Sequence, residues 1–262
     1  MMLMEWEQWQ NLYRAIKRDI ELNWSGDERS SMNLSRLLKN NRRIAECTST
    51  EKRLKELIEG KKVYVMGAGP DLGLELDRLE EECQREGKSL KMGEREEVII
   101  SADGATTELL RRGITPDIVV TDLDGVIEDI LAANEEGSII VVHSHGDNIS
   151  KLKEVVPRFR GMVLGTTQVD PSNYEGLYNF GGFTDGDRSA FLAHHYGADK
   201  IVLLGFNFNE VGEKIGDRSA FSEEVKFKKL AWSNLLLGFI PSSVLRFYSE
   251  RWDHPELDEL FL

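Results

Sequence analysis

The sequence predicts an α/β fold, a mostly parallel sheet with helices on both faces in Rossmann-like layers, preceded by a helical N-terminal region. Three observations predict it. From Lys62 onward, apolar runs of strand length alternate with helical segments. The runs VYVM, VII, IVV, IIVV and IVLL are continuously apolar rather than alternating, as in strands buried on both faces. Each run then gives way to Gly, Asp, His or small hydroxyl residues, which collects polar groups at one edge of a parallel sheet.

Residues 1–58 carry almost no strand signal. Trp6, Trp9, Leu12, Tyr13 and Ile16 recur at helical spacing, as do Leu34, Leu37 and Leu38, and then Leu54, Leu57 and Ile58. Two or three amphipathic helices are expected there, with the aromatics serving as core or lid packing. At Lys62 the texture changes to KVYVMGAGPDLGLELDRL, a strand, a Gly-rich turn and a helix. Gly67 and Gly69 are candidates to present backbone N–H groups to an anion at a helix N-terminus. The alternative is a tight strand-to-helix turn: the spacing is GxGxxxG rather than GxGxxG, and Pro70 fits a first helical turn.

The central stretch, VIISADGATTELLRRGITPDIVVTDLDG from Val98 to Gly125, is a strand, helix, strand unit. Val98–Ile100 and Ile118–Val120 are its strands and Ala105–Arg111 its helix, ended by Gly113 and Pro116. Parallel neighbours would deliver Asp103, Asp122 and Asp124 to one sheet edge, three hard oxygen donors that suit Mg²⁺. Against this stands the ordinary use of Asp after a strand as a helix cap or turn former.

Farther on, Ile127–Asn134 reads as a helix and Ser138–Val142 as a buried strand ending in HSHGDN. A helix follows to Val156, then GMVLGTTQ as a strand, and a segment with Pro171 leads to YNFGGFTDGDRSAF. A helix to Tyr196, the strand IVLLGFNF and a helix from Ser222 to Gly238 complete the alternation. The hexapeptide GDRSAF occurs at 186–191 and again at 216–221, in different contexts, and reads as coincidence rather than a structural repeat. The expected organisation is a helical region 1–58, an α/β domain 59–243 and a C-terminal tail 244–262.

Composition narrows the function. With 33 Lys and Arg against 46 Asp and Glu, the net charge is −13, which argues against a nucleic-acid or anionic-membrane partner. A phosphorylated substrate would need metal to bring it in. Cys47 and Cys83 have no CxxC spacing, so neither a zinc site nor a disulfide framework is indicated, and a reducing cytoplasm is the default expectation. MMLMEWEQWQ carries acid where a signal peptide needs base, and no apolar run approaches the roughly eighteen residues of a membrane span. Assembly is open, with a homodimer as one option.

The strand ends together supply carboxylates, small hydroxyls and Arg188, with no nucleophile beside a paired base. That inventory fits phosphoryl or diphosphoryl transfer, where positioning and charge neutralisation supply most of the catalysis. His143 and His145 have the spacing of a zinc pair, but an Asp-rich site favours Mg²⁺, and the histidines read better as shaping a pocket or hydrogen-bonding a substrate.

Two resemblances follow from these motifs. ADGATTELL, TPDIVVTDLDG and HSHGDN in that order resemble the thiamin pyrophosphokinase fold. HSHGDN, GTTQ and NFGGFTDGDR are similar to the archaeal MptE-like family, 6-hydroxymethyl-7,8-dihydropterin pyrophosphokinases, over about Lys62 to Trp232. The resemblance implies ATP as co-substrate and a hydroxymethylpterin as acceptor, in folate or tetrahydromethanopterin biosynthesis. It implies Mg²⁺ on the ATP phosphates held by Asp103, Asp122 and Asp124, with Asp147 a further acidic member and candidate base. Gly67, Gly69, Gly104, Thr166, Thr167 and Gln168 would contact the nucleotide. His145, Asn148, Gly181, Gly182, Phe183 and Asp185 would contact the pterin. Arg188 is expected to stabilise phosphate charge, or to pair with Asp185 or Asp187. Gly125 stands where thiamin kinases carry Ser, which disfavours thiamin.

Two other readings belong to different classes. DLDGV at Asp122–Val126 matches the nucleophile motif of haloacid-dehalogenase-like phosphatases, although two strand signals, near Tyr64 and Ile99, precede it where that family has none. A non-catalytic nucleotide-binding module using the Gly67–Gly73 turn is the third.

Overall fold

The computed structural model describes residues 6–21, 26–210, 222–249 and 253–255. Among these residues, eight strands, β1 Lys62–Met66, β2 Val98–Ala102, β3 Ile118–Thr121, β4 Ile139–Ser144, β5 Val163–Thr167, β6 Leu177–Tyr178, β7 Lys200–Leu204 and β8 Leu245–Phe247, form one sheet. Every pairing is parallel and the order is β6-β5-β4-β3-β2-β1-β7-β8.

Apolar runs without alternation become strands because both faces are covered. The helices are α1 Trp6–Ile20, α2 Asp27–Asn40, α3 Cys47–Ile58, α4 Leu72–Glu86, α5 Ala105–Arg111, α6 Ile127–Glu135, α7 Ile149–Val155, α8 Asp185–His195 and α9 Glu223–Leu237. Val63, Val65, Ile100, Val120 and Val141 pack with Trp9 and Ile16 of α1, Leu54 of α3, Phe191 of α8 and Leu236 of α9. The intervening residues Tyr64, Met66 and Ile99 meet Leu76 of α4 and Leu109 of α5, while Val119, Ile140 and Val142 meet Leu34 of α2, Ile130 of α6 and Leu152 of α7. The period of two along each strand divides one apolar run between two cores.

From β6 at one edge the chain returns across the sheet to β7 beside β1, and α8, within that crossing, lies on β1, β2 and β3. A capping box sets its start. Asp187 accepts the N–H of Phe183 at 2.6 Å and of Thr184 at 2.7 Å, and is itself fully buried.

Some elements differ from the sequence reading. β4 runs on to Ser144, because His143 and Ser144 pair with Thr166 and Thr167 of β5, so His143 belongs to the strand and not to the loop after it. β6 and β8 have two and three residues, too few to leave a periodic signature, and Leu245–Phe247 extends the sheet beyond β7 from within 244–262. The first GDRSAF opens α8; the second lies outside the described residues.

Candidate active site

Four strand ends and one helix start build the site. Asp103 follows β2 with φ of +32°, its N–H bonded to Val120 O at 2.9 Å and its Oδ1 accepting the Thr121 hydroxyl. Leu123, after β3, has φ of +69° and donates its N–H to Thr121 Oγ1 at 2.8 Å. Two non-glycine residues in the left-handed region, tied to the same threonine, hold the acid loops in a conformation that the surrounding bonds must maintain. Gly125 leaves room for this: a Cβ there would lie 2.9 to 3.0 Å from the Asp103 carboxyl.

Asp103, Asp122 and Asp185 each present a carboxylate oxygen, and the three lie within 4.8 Å of one another. Asp185, read from sequence as a pterin contact, thus stands with the acids, carried there by the first turn of α8. Asp124 adjoins the group through a side-chain hydrogen bond with Asp103. Burial, the bond to Asp124 and the charges of Asp122 and Asp185 push the Asp103 carboxyl well above its ordinary range. Burial and the Asp122 charge push Asp185 up to about 8 against the opposing pull of Arg188. For Asp122, burial is outweighed by the bond and charge of His145 and by Arg188 and Lys229, which hold it below the ordinary carboxylate range. Its Oδ1 is buried without a hydrogen-bond partner among the described residues. Two crowded carboxyls pushed toward their protonated forms, beside an ionised one with an orphaned oxygen, are a donor set that fits a hard divalent cation such as Mg²⁺.

The HSHGDN turn locks onto this loop. His145 Nε2 lies 3.2 Å from Asp122 Oδ2. Asn148 donates to Asp122 O at 2.9 Å and His143 O at 2.7 Å, and its Oδ1 accepts from His145 N and Ser30 Oγ, so its amide is engaged within the fold. Asp147 is exposed. Buried His143 has its ring nitrogens against Thr166 Oγ1 at 3.0 Å and Gln168 Oε1 at 3.4 Å, and burial together with Arg188 lowers its pKa. Thr167 meets Ser31 Oγ at 2.6 Å.

The N-terminal helices enter the site, although no motif in residues 1–58 signals it. Asp27, 3 % exposed, accepts from Tyr13 Oη at 2.6 Å, Gly146 N at 2.9 Å and Gln168 Nε2 at 3.0 Å, and Trp9 Nε1 donates to Gln168 O at 3.0 Å. Burial and Asp27 raise the Tyr13 pKa. An acid in the first turn of a helix looks ordinary in sequence; only its burial among three distant donors distinguishes Asp27.

A pocket adjoins the acids through Arg188, whose Nη1 donates to Asp185 Oδ1 at 3.0 Å. Val120, Val141, Phe180 and Leu192 form its apolar lining, and His143, Thr166, Asn179, Gly181 and Gly182 also reach it. Phe183 packs into the core. Gly182 has φ of +85°, and a Cβ there would meet Arg188 N at 2.6 Å. The Gly67–Gly73 turn lies instead between β1 and β7. Gly67 N donates to Leu204 O and Gly69 N to Gly205 O, both at 2.8 Å, and a Cβ on Gly69 would stand 2.4 Å from Gly205 O, so these glycines let two backbones meet. Gly104 is buried at the start of α5.

A family model and three relatives agree with one another. Residues 35–213 match the family described as "6-hydroxymethylpterin diphosphokinase MptE-like". Three proteins, each named 6-hydroxymethyl-7,8-dihydropterin pyrophosphokinase, resemble nearly the whole chain. The one from Pyrococcus furiosus is 41 % identical over 245 residues, 92 % of this chain and 96 % of that protein. The one from Methanocaldococcus jannaschii is 36 % identical over 249 residues, 92 % and 98 % of the two chains. The one from Methanothermobacter thermautotrophicus is 36 % identical over 243 residues, 90 % and 95 %. Among the described residues, no helix is long and apolar enough to cross a membrane.

Proposed function

The chain belongs to the MptE-like family of 6-hydroxymethylpterin diphosphokinases, and on that premise we propose that it transfers the β,γ-diphosphate of ATP to the hydroxymethyl group of 6-hydroxymethyl-7,8-dihydropterin, releasing AMP. The observation that carries this reading is the convergence of Asp103, Asp122 and Asp185 within 4.8 Å, joined through Arg188 to a pocket with an apolar and aromatic lining. The substrate oxygen bonds to the β-phosphorus as the bond from that phosphorus to the AMP oxygen breaks, and the hydroxyl proton is lost. A bound Mg²⁺ would supply neutralisation of phosphate charge. Asp103, Asp122 and Asp185 would hold it, with Asp124 supporting Asp103.

Arg188 pairs with Asp185, and its planar guanidinium would meet phosphate charge beside the acids. His145 orients Asp122. No general base is assigned, since an alcohol attacking through a loose transition state needs little proton removal. The product would enter synthesis of a folate or methanopterin cofactor.

The phosphatase reading of DLDGV loses ground, because Asp122 follows the third strand in chain order and the chain falls in another family. AMP release measured with and without the dihydropterin is the decisive assay. AMP should appear only with both substrates and Mg²⁺, and should stop with chelator. Phosphate trapped on Asp122, pterin-independent hydrolysis of phosphoesters, or ATP binding without AMP release even with both substrates and Mg²⁺ present would overturn the proposal.

A further inference from the structure

Two donors at the pocket, Asn179 Nδ2 and Arg188 Nε, are buried without a hydrogen-bond partner among the described residues, and both residues line it. Each is oriented from its other end. Gly181 N donates to Asn179 Oδ1 at 3.0 Å, which determines the direction of the amide. Arg188 donates from Nη1 to Asp185 at 3.0 Å, and its Nη2 lies 3.5 Å from Gln168 Oε1. A buried donor left unpaired costs its full desolvation, so two in one pocket point to a ligand that brings acceptors. His143 does not compete for that part, since Thr166 and Gln168 occupy its ring nitrogens. Val120, Val141, Leu192 and the Phe180 ring line the apolar side of the same pocket.

We propose that Asn179 Nδ2 and Arg188 Nε form a specificity pair that donates to two acceptors on one edge of the substrate ring, the carbonyl oxygen O4 and the neighbouring nitrogen N5. This rests on the pterin reading above and deepens it by assigning which edge of the ring enters the pocket. In a 7,8-dihydropterin only O4 and N5 are acceptors lying side by side; N2, N3 and N8 carry N–H donors that would leave this pair unpaired. The hydroxymethyl arm is on C6, next to N5. Reading that edge therefore keeps the reacting oxygen toward Arg188, whose Nη1 is bound to Asp185 of the acid cluster. A ring entering by its donor edge is rejected by the same two atoms, because a site built to hydrogen-bond discriminates strongly against a partner that cannot.

Titration calorimetry tests this with 6-hydroxymethyl-7,8-dihydropterin and its 5-deaza analogue, in which N5 is replaced by C–H, in the presence of Mg²⁺ and a non-cleavable ATP analogue. Wild-type protein should bind the parent at least about tenfold more tightly than the analogue. Asn179→Asp places an acceptor where the donor was at nearly unchanged volume. It should weaken binding of the parent at least about tenfold while leaving affinity for the ATP analogue within about twofold. Equal binding of the two pterins by wild-type protein, or unchanged affinity of Asn179→Asp for the parent, overturns the pair. If the variant does not fold, the comparison of the two pterins on wild-type protein decides alone. Wild-type protein that binds neither compound overturns the pterin reading itself, a result distinct from either of these.

Discussion

The Asp185 carboxylate accepts the backbone N–H of Asp122 at 3.3 Å, joining the first turn of α8 to a loop 63 residues earlier in the chain. This contact puts a third carboxyl into the site from outside the strand, helix, strand unit that supplies the other two. It also links the acids to Arg188, one turn along the same helix.

Asp185→Asn therefore tests the acid cluster more directly than any change within the DLDG loop. The amide keeps an oxygen for the Asp122 N–H and removes the carboxylate that a divalent cation would take in place of a proton. Turnover should fall by at least about a hundredfold, about 2.7 kcal/mol of transition-state stabilisation, and Asp122→Asn should do the same. Circular dichroism should show both variants folded. A near-normal rate for Asp185→Asn at saturating Mg²⁺ and ATP would remove that residue from the metal site.

The raised carboxyls make stability depend on pH in a definite direction. Asp103 and Asp185 hold protons in the folded protein that the unfolded chain has released, so stability falls as pH rises, for Asp185 through about 8. Asp122 is depressed and loses its contribution only at acid pH, and His143 is neutral in both states above about pH 7, so neither reverses the trend. Mg²⁺ takes the place of the protons. Thermal unfolding between about pH 7 and 8.5 should show Tm falling without metal and the gain from MgCl₂ growing with pH. A metal effect that does not grow with pH across that window would show that the ion displaces no protons from these carboxyls.

The N-terminal helices should prove inseparable from the site. Asp27→Ala leaves Tyr13 Oη, Gly146 N and Gln168 Nε2 without their acceptor. Each buried group so stranded costs about 1–3 kcal/mol, so denaturant unfolding should show a loss of at least ~2 kcal/mol. AMP release should fall as well, because Gly146 and Gln168 flank His145 and Arg188. Wild-type stability and rate in this variant would mean that the helices only cover the sheet.

What the sequence by itself determined is the layer pattern and the side of the sheet on which chemistry gathers. Runs such as IVV and IIVV are apolar on both faces, so they need helices above and below, and parallel strands then send their carboxyl ends, with Asp103 and Asp122, to a common edge. These are consequences of local pattern and chain direction. The motifs HSHGDN, GTTQ and NFGGFTDGDR also carried the family, since each keeps its spacing whatever the rest of the chain does.

Tertiary structure alone decided which residues of those motifs meet. Asp185 reaches the acids because the long crossing from β6 to β7 lays α8 over β1 to β3, and no local signal states where a crossing lands. Asp27 becomes part of the site because α2 packs on α7 and β5. Gly67 and Gly69 look like an anion cradle in sequence, yet their N–H groups are taken by β7 and the residue after it, at the point where the strand order reverses. The orphaned donors of Asn179 and Arg188 are the plainest case: a missing partner is a property of everything around an atom, which no stretch of sequence contains.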